Sequence, residues 1–406
     1  MSLSDDDGAS TAAVDSPSPR RTRGTRRQAR LAWSIFLAVF GICGIFAGGH
    51  SYSSDEEGYY LQAQAFAHGD YALTIPGDAI QVTPVSAGRD GKPIATGGIG
   101  ASVVALPALA LGKVVSTVTP REWDDVVERL FVGFTNSLIT AAIAAVLFLC
   151  ALQLGATRKS SVLLAFVFVF GTIAWPHSKT MLFTEPIAAL VVLTAVYFAF
   201  RAASEGSLLL SAIAGTFATL AGLARISTLM FALPIGLYAV LRHLRPDGVR
   251  RAARMGLAFT GGAVLGLLTL GLTNKWRAGS FTDLGYASVP LDGDFWEGIY
   301  GLLLSPGKGL LIYAPVIAVA LGALPWAIRR KPAETSLLLV LALANLVLFA
   351  RFPSWHGDNA WGPRYLNITL PLMVLLVAPL LTERRWRKAV AIAGVASGRV
   401  MRLVAD

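Results

Sequence analysis

Residues 31–70, LAWSIFLAVFGICGIFAGGHSYSSDEEGYYLQAQAFAHGD, join a long apolar run to three consecutive carboxylates. The run 31–49 has the length at which a helix crosses the hydrocarbon core of a bilayer. Asp55, Glu56 and Glu57 therefore follow directly on a membrane surface. Acids in this position either cap an interfacial helix, since Ser53-x-x-Glu56 fits a capping box, or form an acid/base or metal site facing membrane-borne substrates. Capping explains one acid and does not require three.

The composition is that of a membrane protein. Of 406 residues, 54% are hydrophobic and 15% are charged, whereas soluble proteins carry about 25% charged residues. The many apolar runs of span length predict an all-α, polytopic transmembrane bundle in a cell membrane. The net charge of +10 lies in short clusters between apolar runs, which indicates membrane orientation and not a nucleic-acid partner.

Basic clusters set the predicted topology. They lie at 20–30, 156–161, 242–254, 328–332 and 382–388, and the positive-inside rule places all of them in the cytoplasm. The run 98–118 then cannot cross the bilayer, and we expect a juxtamembrane or re-entrant helix there. The predicted spans number about ten: 31–49, 131–154, 161–176, 185–202, 207–222, 226–242, 255–273, 309–328, 334–351 and 366–382.

This topology divides the chain into three parts. Residues 1–30 are polar and are predicted to be a disordered cytoplasmic tail. Residues 31–382 form the transmembrane domain, in which 50–129 is a long outer loop with juxtamembrane helices. The first apolar run lacks a convincing cleavage site, which favours an uncleaved helix over a signal peptide. Residues 383–406 are a basic C-terminal segment that ends in a truncated or interfacial helix.

The predicted outer loops carry unusual polar residues. Arg225 interrupts an apolar stretch at an outer helix end, where its partner is a lipid phosphate or, alternatively, the interface to which it snorkels. Lys179 and Glu185 lie in the preceding outer loop, where a snorkelling lysine and an acid at a helix start explain them about as well. The segment RFPSWHGDNAWGPRYL (351–366) adds arginines that could clamp phosphate and tryptophans that could stack on a sugar or prenyl chain, against an interface-anchor alternative.

Motifs of several other protein classes do not occur. The sequence lacks H-E-x-x-H, C-x-x-C and G-x-S-x-G, which weakens zinc-protease, redox and serine-hydrolase interpretations. Cys43 and Cys150 both lie in apolar runs, so a disulfide framework is not expected.

The order of the motifs resembles the GT-C superfamily of membrane glycosyltransferases, near the bacterial relatives of dolichyl-phosphate-mannose-protein mannosyltransferases and the aminoarabinose transferases. The similar pieces extend over most of 31–382. They are DEEGYY (55–60), GKPIATGGIGASVVALP (91–107), ERLFVGFTNSL (128–138), PHSKTMLFTEP (176–186), GLARISTLMFALP (222–234), NKWRAGSFTDLGY (274–286), SPGKGLLIYAP (305–315) and WHGDNAWGPRYLNITLP (355–371).

The resemblance implies transfer of a sugar, with inversion, from a polyprenyl-phosphate donor to a glycan, lipid or protein acceptor at the outer membrane surface. The first-loop acid of the family deprotonates the acceptor, which here is Asp55. Glu56 would be its helper or, with Asp55, a ligand of Mg²⁺ or Mn²⁺. The basic residues expected to hold the donor phosphate are Arg225, Arg364, Lys179, Arg351 and His356. The residues expected to contact the sugar or acceptor are Tyr59, Glu185, Trp355, Asp358 and Tyr365.

Two other functions stay open on the sequence. A transporter or flippase for a lipid-linked sugar would use the same outer arginines for binding and would need no base. A non-catalytic assembly partner is the third interpretation, because many relatives carry further C-terminal spans or a periplasmic domain beyond the part matched here.

Overall fold

The computed structural model describes residues 19–75, 85–244, 248–283, 290–357 and 360–405, and the fold is helical as predicted. Its α-helices are α1 (Pro19–Ile45), α2 (Ser54–Ala67), α3 (Gly100–Ser116), α4 (Asp124–Gln153), α5 (Arg158–Phe170), α6 (Ala174–His177), α7 (Thr184–Glu205), α8 (Leu208–Leu220), α9 (Ala232–Leu244), α10 (Val249–Ala278), α11 (Phe295–Leu304), α12 (Leu310–Tyr313), α13 (Val316–Arg330), α14 (Pro332–Ala350), α15 (Leu370–Leu375) and α16 (Arg384–Ala405). Short 3₁₀ helices lie at Arg89–Gly91, Arg121–Trp123, Ala221–Leu223, Ile226–Phe231, Arg364–Ile368 and Ala378–Leu380.

Among the described residues, the one departure from the all-α prediction lies in the predicted first outer loop. Strands β1 (Val85–Ala87) and β2 (Pro93–Ala95) pair antiparallel as a small hairpin. The hairpin turns at Asp90, which has a left-handed φ of 61°. Aspartate tolerates that conformation because its short side chain can hydrogen-bond locally.

Six helical segments of the described part of the chain are long and apolar enough to cross a membrane. They are Arg26–Ile45, Arg121–Gln153, Thr184–Glu205, Ile226–Leu244, Val249–Ala278 and Pro332–Ala350. The protein is thus a multi-pass membrane protein. The predicted spans 161–176, 207–222, 309–328 and 366–382 fall on shorter helices, so the number of ten stays a prediction, as does the orientation.

The structure describes a helix at each end of the chain. The first helix begins at Pro19, inside the segment predicted to be a disordered tail, whose residues 1–18 lie outside the described part. Arginine is a good helix former, and a helix already fixed by its apolar half extends readily into such residues. At the other end, Arg384–Ala405 is a helix of 22 residues packed on the bundle.

Two long helices form the centre of the bundle. Of their most apolar windows, 67% is buried in the helix that includes α4 and 56% in α7, against 22% in α1 and 28% in α10. The less buried helices present their leucines outward, as expected at a lipid-facing surface. Glu185, in the first turn of α7, is fully buried as part of this centre.

Small residues bring α8 and α10 together. A Cβ added to Gly262 would lie 1.8 Å from the Ala212 carbonyl oxygen, so only glycine allows this approach. Thr216 donates a hydrogen bond to the Gly262 carbonyl and Ser211 donates one to that of Met255. Close contact through glycine and hydroxyl side chains is the usual means of helix association in membranes.

Candidate active site

Four charged side chains from four predicted outer segments meet at one end of the bundle. Asp55 lies in the first turn of α2, Glu185 in the first turn of α7, Arg225 before the 3₁₀ helix Ile226–Phe231, and Arg364 at the start of the 3₁₀ helix that precedes α15. Arg364 Nη2 lies 2.9 Å from Asp55 Oδ2, and its Nε lies 2.7 Å from Glu185 Oε1. Arg225 Nη1 contacts the same Glu185 oxygen at 2.5 Å. We call these four residues the charge network.

The side chains of the charge network differ in how deeply they are buried. The side chain of Glu185 is fully buried and that of Arg364 is 3% exposed, whereas that of Asp55 is 36% exposed. Burial alone would lower the pKa of Arg364, but the Glu185 and Asp55 carboxylates outweigh it and raise that pKa above its ordinary value. Arg364 therefore stays charged, and Asp55 is the member of the network most open to a ligand.

A cavity of about 820 Å³ opens in front of the network. Its polar lining consists of Tyr52, Ser53, Ser54, Asp55, His177, Lys179, Thr180 and Arg364. Its aromatic lining consists of Phe46, Phe170, Trp175, Phe183, Tyr313 and Trp361, and Pro176, Gly357, Ala360 and Gly398 complete it. Among the described residues, Glu185 and Arg225 do not line the cavity, whereas Arg364, which pairs with Glu185, does.

Lys179 supplies a second cation to the cavity. Its ammonium lies 4.4 Å from the centre of the Trp175 ring and 5.4 Å from that of Phe46. Such contacts between a cation and an aromatic face hold the ammonium in place without neutralising it. Burial lowers the pKa of Lys179 from its ordinary value. Among the described residues no carboxylate pairs with it, so its charge is available to an anionic ligand.

His177 is a neutral member of the lining. The amide of Asn367 donates to Nδ1 at 2.9 Å, which leaves Nε2–H to donate to the Trp361 carbonyl at 3.0 Å. These partners fix the tautomer. Burial lowers the pKa of His177 to about 4, so the ring is uncharged at neutral pH. The sequence placed His177 in an outer loop but did not assign it to the site.

Glu56 does not face the cavity, although it adjoins Asp55 in sequence. It is fully buried. One carboxylate oxygen accepts the N–H groups of Tyr52 and Ser53, and the other accepts the N–H of Leu182. Burial raises the pKa of Glu56 to about 7, although these hydrogen bonds favour the charged form. Glu56 thus fastens the start of α2 to the loop before α7.

The two side chains predicted as metal ligands do not fit a bound cation. Both oxygens of Glu56 already accept backbone hydrogen bonds, and Asp55 pairs with Arg364. In the described ranges no group of three or more His, Cys, Asp or Glu side chains is arranged to hold a metal ion. The third acid, Glu57, forms a bidentate pair with Arg129 at 2.7 Å, which is a structural role.

Several other predicted site residues lie outside the cavity lining. Arg351 donates to the Gly293 carbonyl, and Trp355 donates its indole N–H to Glu297 while packing edge-on against His356. These residues join the segment after α14 to the start of α11. Their contacts make the segment 351–357 a packed connector. Asp358, which was also predicted to belong to the site, lies outside the described residues.

Two predicted tyrosines support the site from behind. Tyr365 is stacked on Phe349 with ring centres 4.5 Å apart, and the Arg225 guanidinium lies 4.8 Å from its ring centre. It therefore holds Arg225 in place. Tyr59 is buried, and its carbonyl accepts a hydrogen bond from Ser102 in α3.

One comparison with known proteins, that with solved structures, agrees with the motif order. No protein-family model and no curated protein matches the sequence. Among solved structures, the chain is similar to the crystal structure of ArnT from Cupriavidus metallidurans bound to undecaprenyl phosphate, with a TM-score of 0.54 and 15% sequence identity. The chain has an ArnT-like membrane fold. The match covers 88% of this chain and 60% of the other, so the chain spans about 60% of the length of the structure that it matches. The resemblance to GT-C glycosyltransferases is thereby confirmed at the level of the fold.

Proposed function

We propose that this protein transfers a sugar from a polyprenyl-phosphate donor to an acceptor hydroxyl or amine at the outer face of the membrane. The observation that carries the proposal is the Asp55–Arg364 pair at the cavity. It places a carboxylate that can accept a proton 2.9 Å from a buried cation that can hold a phosphate. The fold it shares with ArnT, whose crystal structure contains undecaprenyl phosphate, supports a lipid phosphate as the ligand.

The two cations of the cavity have separate roles in binding the donor. Lys179 has no carboxylate partner among the described residues, and it attracts the phosphate first. Arg364 keeps its Nε on Glu185 and its Nη2 on Asp55, and offers its other Nη to the phosphate oxygens. The contact with Asp55 passes to the phosphate as Asp55 takes up the acceptor proton. Arg225 does not line the cavity, and it acts on the phosphate only by holding Glu185. Planar guanidinium groups suit phosphate because they can donate two parallel hydrogen bonds.

Asp55 is the base of the proposed reaction. The acceptor oxygen or nitrogen forms a bond to the anomeric carbon while the bond from that carbon to the phosphate oxygen breaks. The acceptor proton passes to Asp55, and polyprenyl phosphate departs with the electron pair on the opposite side, which inverts the anomeric centre. A general base contributes roughly 10²- to 10⁴-fold in rate. The arginine and lysine stabilise the negative charge that develops on the phosphate.

The experiment is a transfer assay with purified protein and a radiolabelled polyprenyl-phosphate sugar. We expect release of polyprenyl phosphate, and a loss of roughly 10²- to 10⁴-fold in Asp55→Asn, because the amide accepts no proton. Asp292→Asn is the matched control, since Asp292 is an exposed aspartate of a predicted outer loop and does not line the cavity. It should retain full activity.

The competing functions predict other results. A flippase would move the labelled lipid across vesicle membranes without releasing polyprenyl phosphate. Full transfer activity in Asp55→Asn would remove the base from the mechanism. An absence of both release and movement would leave the non-catalytic assembly partner.

A further inference from the structure

The C-terminal helix forms part of the cavity wall. Ser160, near the start of α5, donates to the carbonyl of Leu381, just before α16. At the other end of α5, a Cβ added to Gly171 would lie 3.0 Å from the Cα of Gly394. The two helices therefore run parallel from their basic ends, and α16 continues about three turns past the end of α5. Gly398 lies on the first of these turns and lines the cavity.

Gly398 stands at the border between the cavity and the outer surface of α16. Val390 and Ser397 are buried, and Ser397 donates a hydrogen bond to the Tyr313 carbonyl. Ile392 and Val395 are 69% and 63% exposed, which is the exposure of a lipid-facing side. Gly398 is half-buried between these two faces. An added Cβ there would meet no atom of the described residues within 4 Å, so the position is open.

The neighbouring rim is aromatic and lies directly beside a cation. Trp175 packs against Phe170 at the end of α5 and against Phe46 at the end of α1, in both cases with ring centres 5.3 Å apart. Phe46 is 54% exposed. The Lys179 ammonium lies on the face of Trp175. A ligand with its phosphate at Lys179 would thus have an apolar rim leading outward from its head group.

We propose that the gap bordered by Gly398, Phe170 and Trp175 is the exit through which a single prenyl chain leaves the cavity for the bilayer, and that the missing side chain at Gly398 keeps it open. This inference rests on the proposed lipid-phosphate donor. The occupant follows from the charge and the lining of the site, since Lys179 and Arg364 take the anion and the aromatic rim takes the apolar chain. Gly398 is then a specificity-determining residue for the chain.

The test compares the binding of long and short prenyl phosphates to the full-length protein in detergent. Undecaprenyl phosphate extends well beyond the aromatic rim, whereas the chain of geranyl phosphate ends at about the rim. Gly398→Leu should weaken undecaprenyl phosphate binding about tenfold or more, because forcing a chain past a filled site costs about 1–3 kcal/mol. Geranyl phosphate binding should change less than about twofold. Gly398→Ala should also weaken undecaprenyl phosphate binding, but by a smaller factor. This variant replaces Gly398→Leu in the test if the leucine variant does not fold.

Gly322→Leu is the matched control. Gly322 is exposed within α13, does not line the cavity, and has equal room for a side chain in the described structure. It should bind both ligands like the wild type. Unchanged undecaprenyl phosphate binding in Gly398→Leu, or an equal loss of both ligands, overturns the inference while leaving the proposed function in place. If the wild type binds neither ligand, the proposed function and the inference both fail.

A third ligand distinguishes the prenyl chain from bilayer lipid. Phosphatidic acid offers a similar head group on two acyl chains. We expect it to bind at least about tenfold more weakly than undecaprenyl phosphate, because two chains do not fit one gap. Equal binding of phosphatidic acid, with equal sensitivity to Gly398→Leu, would assign the gap to membrane phospholipid and refute the prenyl exit.

Discussion

Replacing Glu185 by glutamine removes the centre of the charge network while leaving its shape. The side chain is fully buried, and its Oε1 accepts both Arg364 and Arg225. Its Oε2 is buried without a hydrogen-bond partner in the described structure. Glutamine can still offer one oxygen to both guanidinium groups, so the change removes charge and hardly any volume.

The expected loss of stability follows from these two contacts. The glutamine oxygen still accepts hydrogen bonds from two charged guanidinium groups, so these contacts weaken but persist, at about 1.5–3 kcal/mol each. The arginines are, however, left without a buried counter-charge, so the expected loss is about 3–4 kcal/mol, within the range for broken buried pairs.

The assay is the free energy of unfolding in mixed micelles, measured for Glu185→Gln and Glu205→Gln. Glu205 lies at the other end of α7 and pairs with Arg201 in an exposed i,i+4 arrangement, with side chains 45% and 33% exposed. That surface pair contributes about 0.3–0.5 kcal/mol, so its loss should be small. Equal losses in the two variants, within about 0.5 kcal/mol, would refute the view that the buried network is an energetic centre.

Three further perturbations probe the surroundings of the site. The lowered pKa of His177 means that the stability it contributes is complete above about pH 6.5 and is lost as pH falls toward 4, by about 3 kcal/mol in all. His177→Gln should flatten this part of the stability–pH curve, and an unchanged curve would contradict the prediction. Gly133→Ala should lower the unfolding temperature, because its Cβ would lie 2.2 Å from the Gly48 carbonyl oxygen at a cost of about 1–3 kcal/mol. Gly41→Ala, with no described atom within 4 Å, should be neutral or slightly stabilising. Glu56→Gln should speed hydrogen exchange at the Leu182 amide, since one amide oxygen cannot replace two carboxylate oxygens; unchanged exchange would contradict the fastening role.

The sequence predicted the helical class and the grouping of the outer loops well, because both depend on local patterns. Hydropathy identifies long apolar helices, and basic clusters sort the loops between two sides. That sorting put Asp55, Glu185, Arg225 and Arg364 together, and the fold joins all four. The contact between Asp55 and Arg364 spans 309 positions, and no local pattern specifies such a pairing.

The roles of the three consecutive acids could not be separated from sequence. Neighbouring residues of a helix point about 100° apart, so each acid of α2 meets a different environment. Asp55 faces the cavity, Glu56 enters the interior to meet Leu182, and Glu57 turns to Arg129. The choice depends on how α2 is rotated against its neighbours, and only tertiary packing sets that rotation.

The position of the C-terminal helix could not be predicted either. The apolar run there is short for a further span, so the sequence indicated a truncated or interfacial helix, and the structure has the helix Arg384–Ala405. Its glycines decide its position instead, since a Cβ on Gly171 would lie 3.0 Å from the Gly394 Cα at the crossing of α16 with α5. Hydropathy measures transfer of a side chain into lipid and contains no term for how closely two backbones can pack.

The arrangement of charges keeps the proposed reaction electrically balanced. Before the donor binds, two arginines offset two carboxylates in the network, and Lys179 leaves one positive charge for the phosphodiester. Transfer of the acceptor proton to Asp55 removes a negative charge from the network at the moment when the leaving phosphate gains one. Both charges are next to Arg364, so one guanidinium exchanges its contact with Asp55 for a contact with the phosphate. Because a buried unpaired charge is costly, a base and a phosphate that share a cation avoid that cost throughout the reaction.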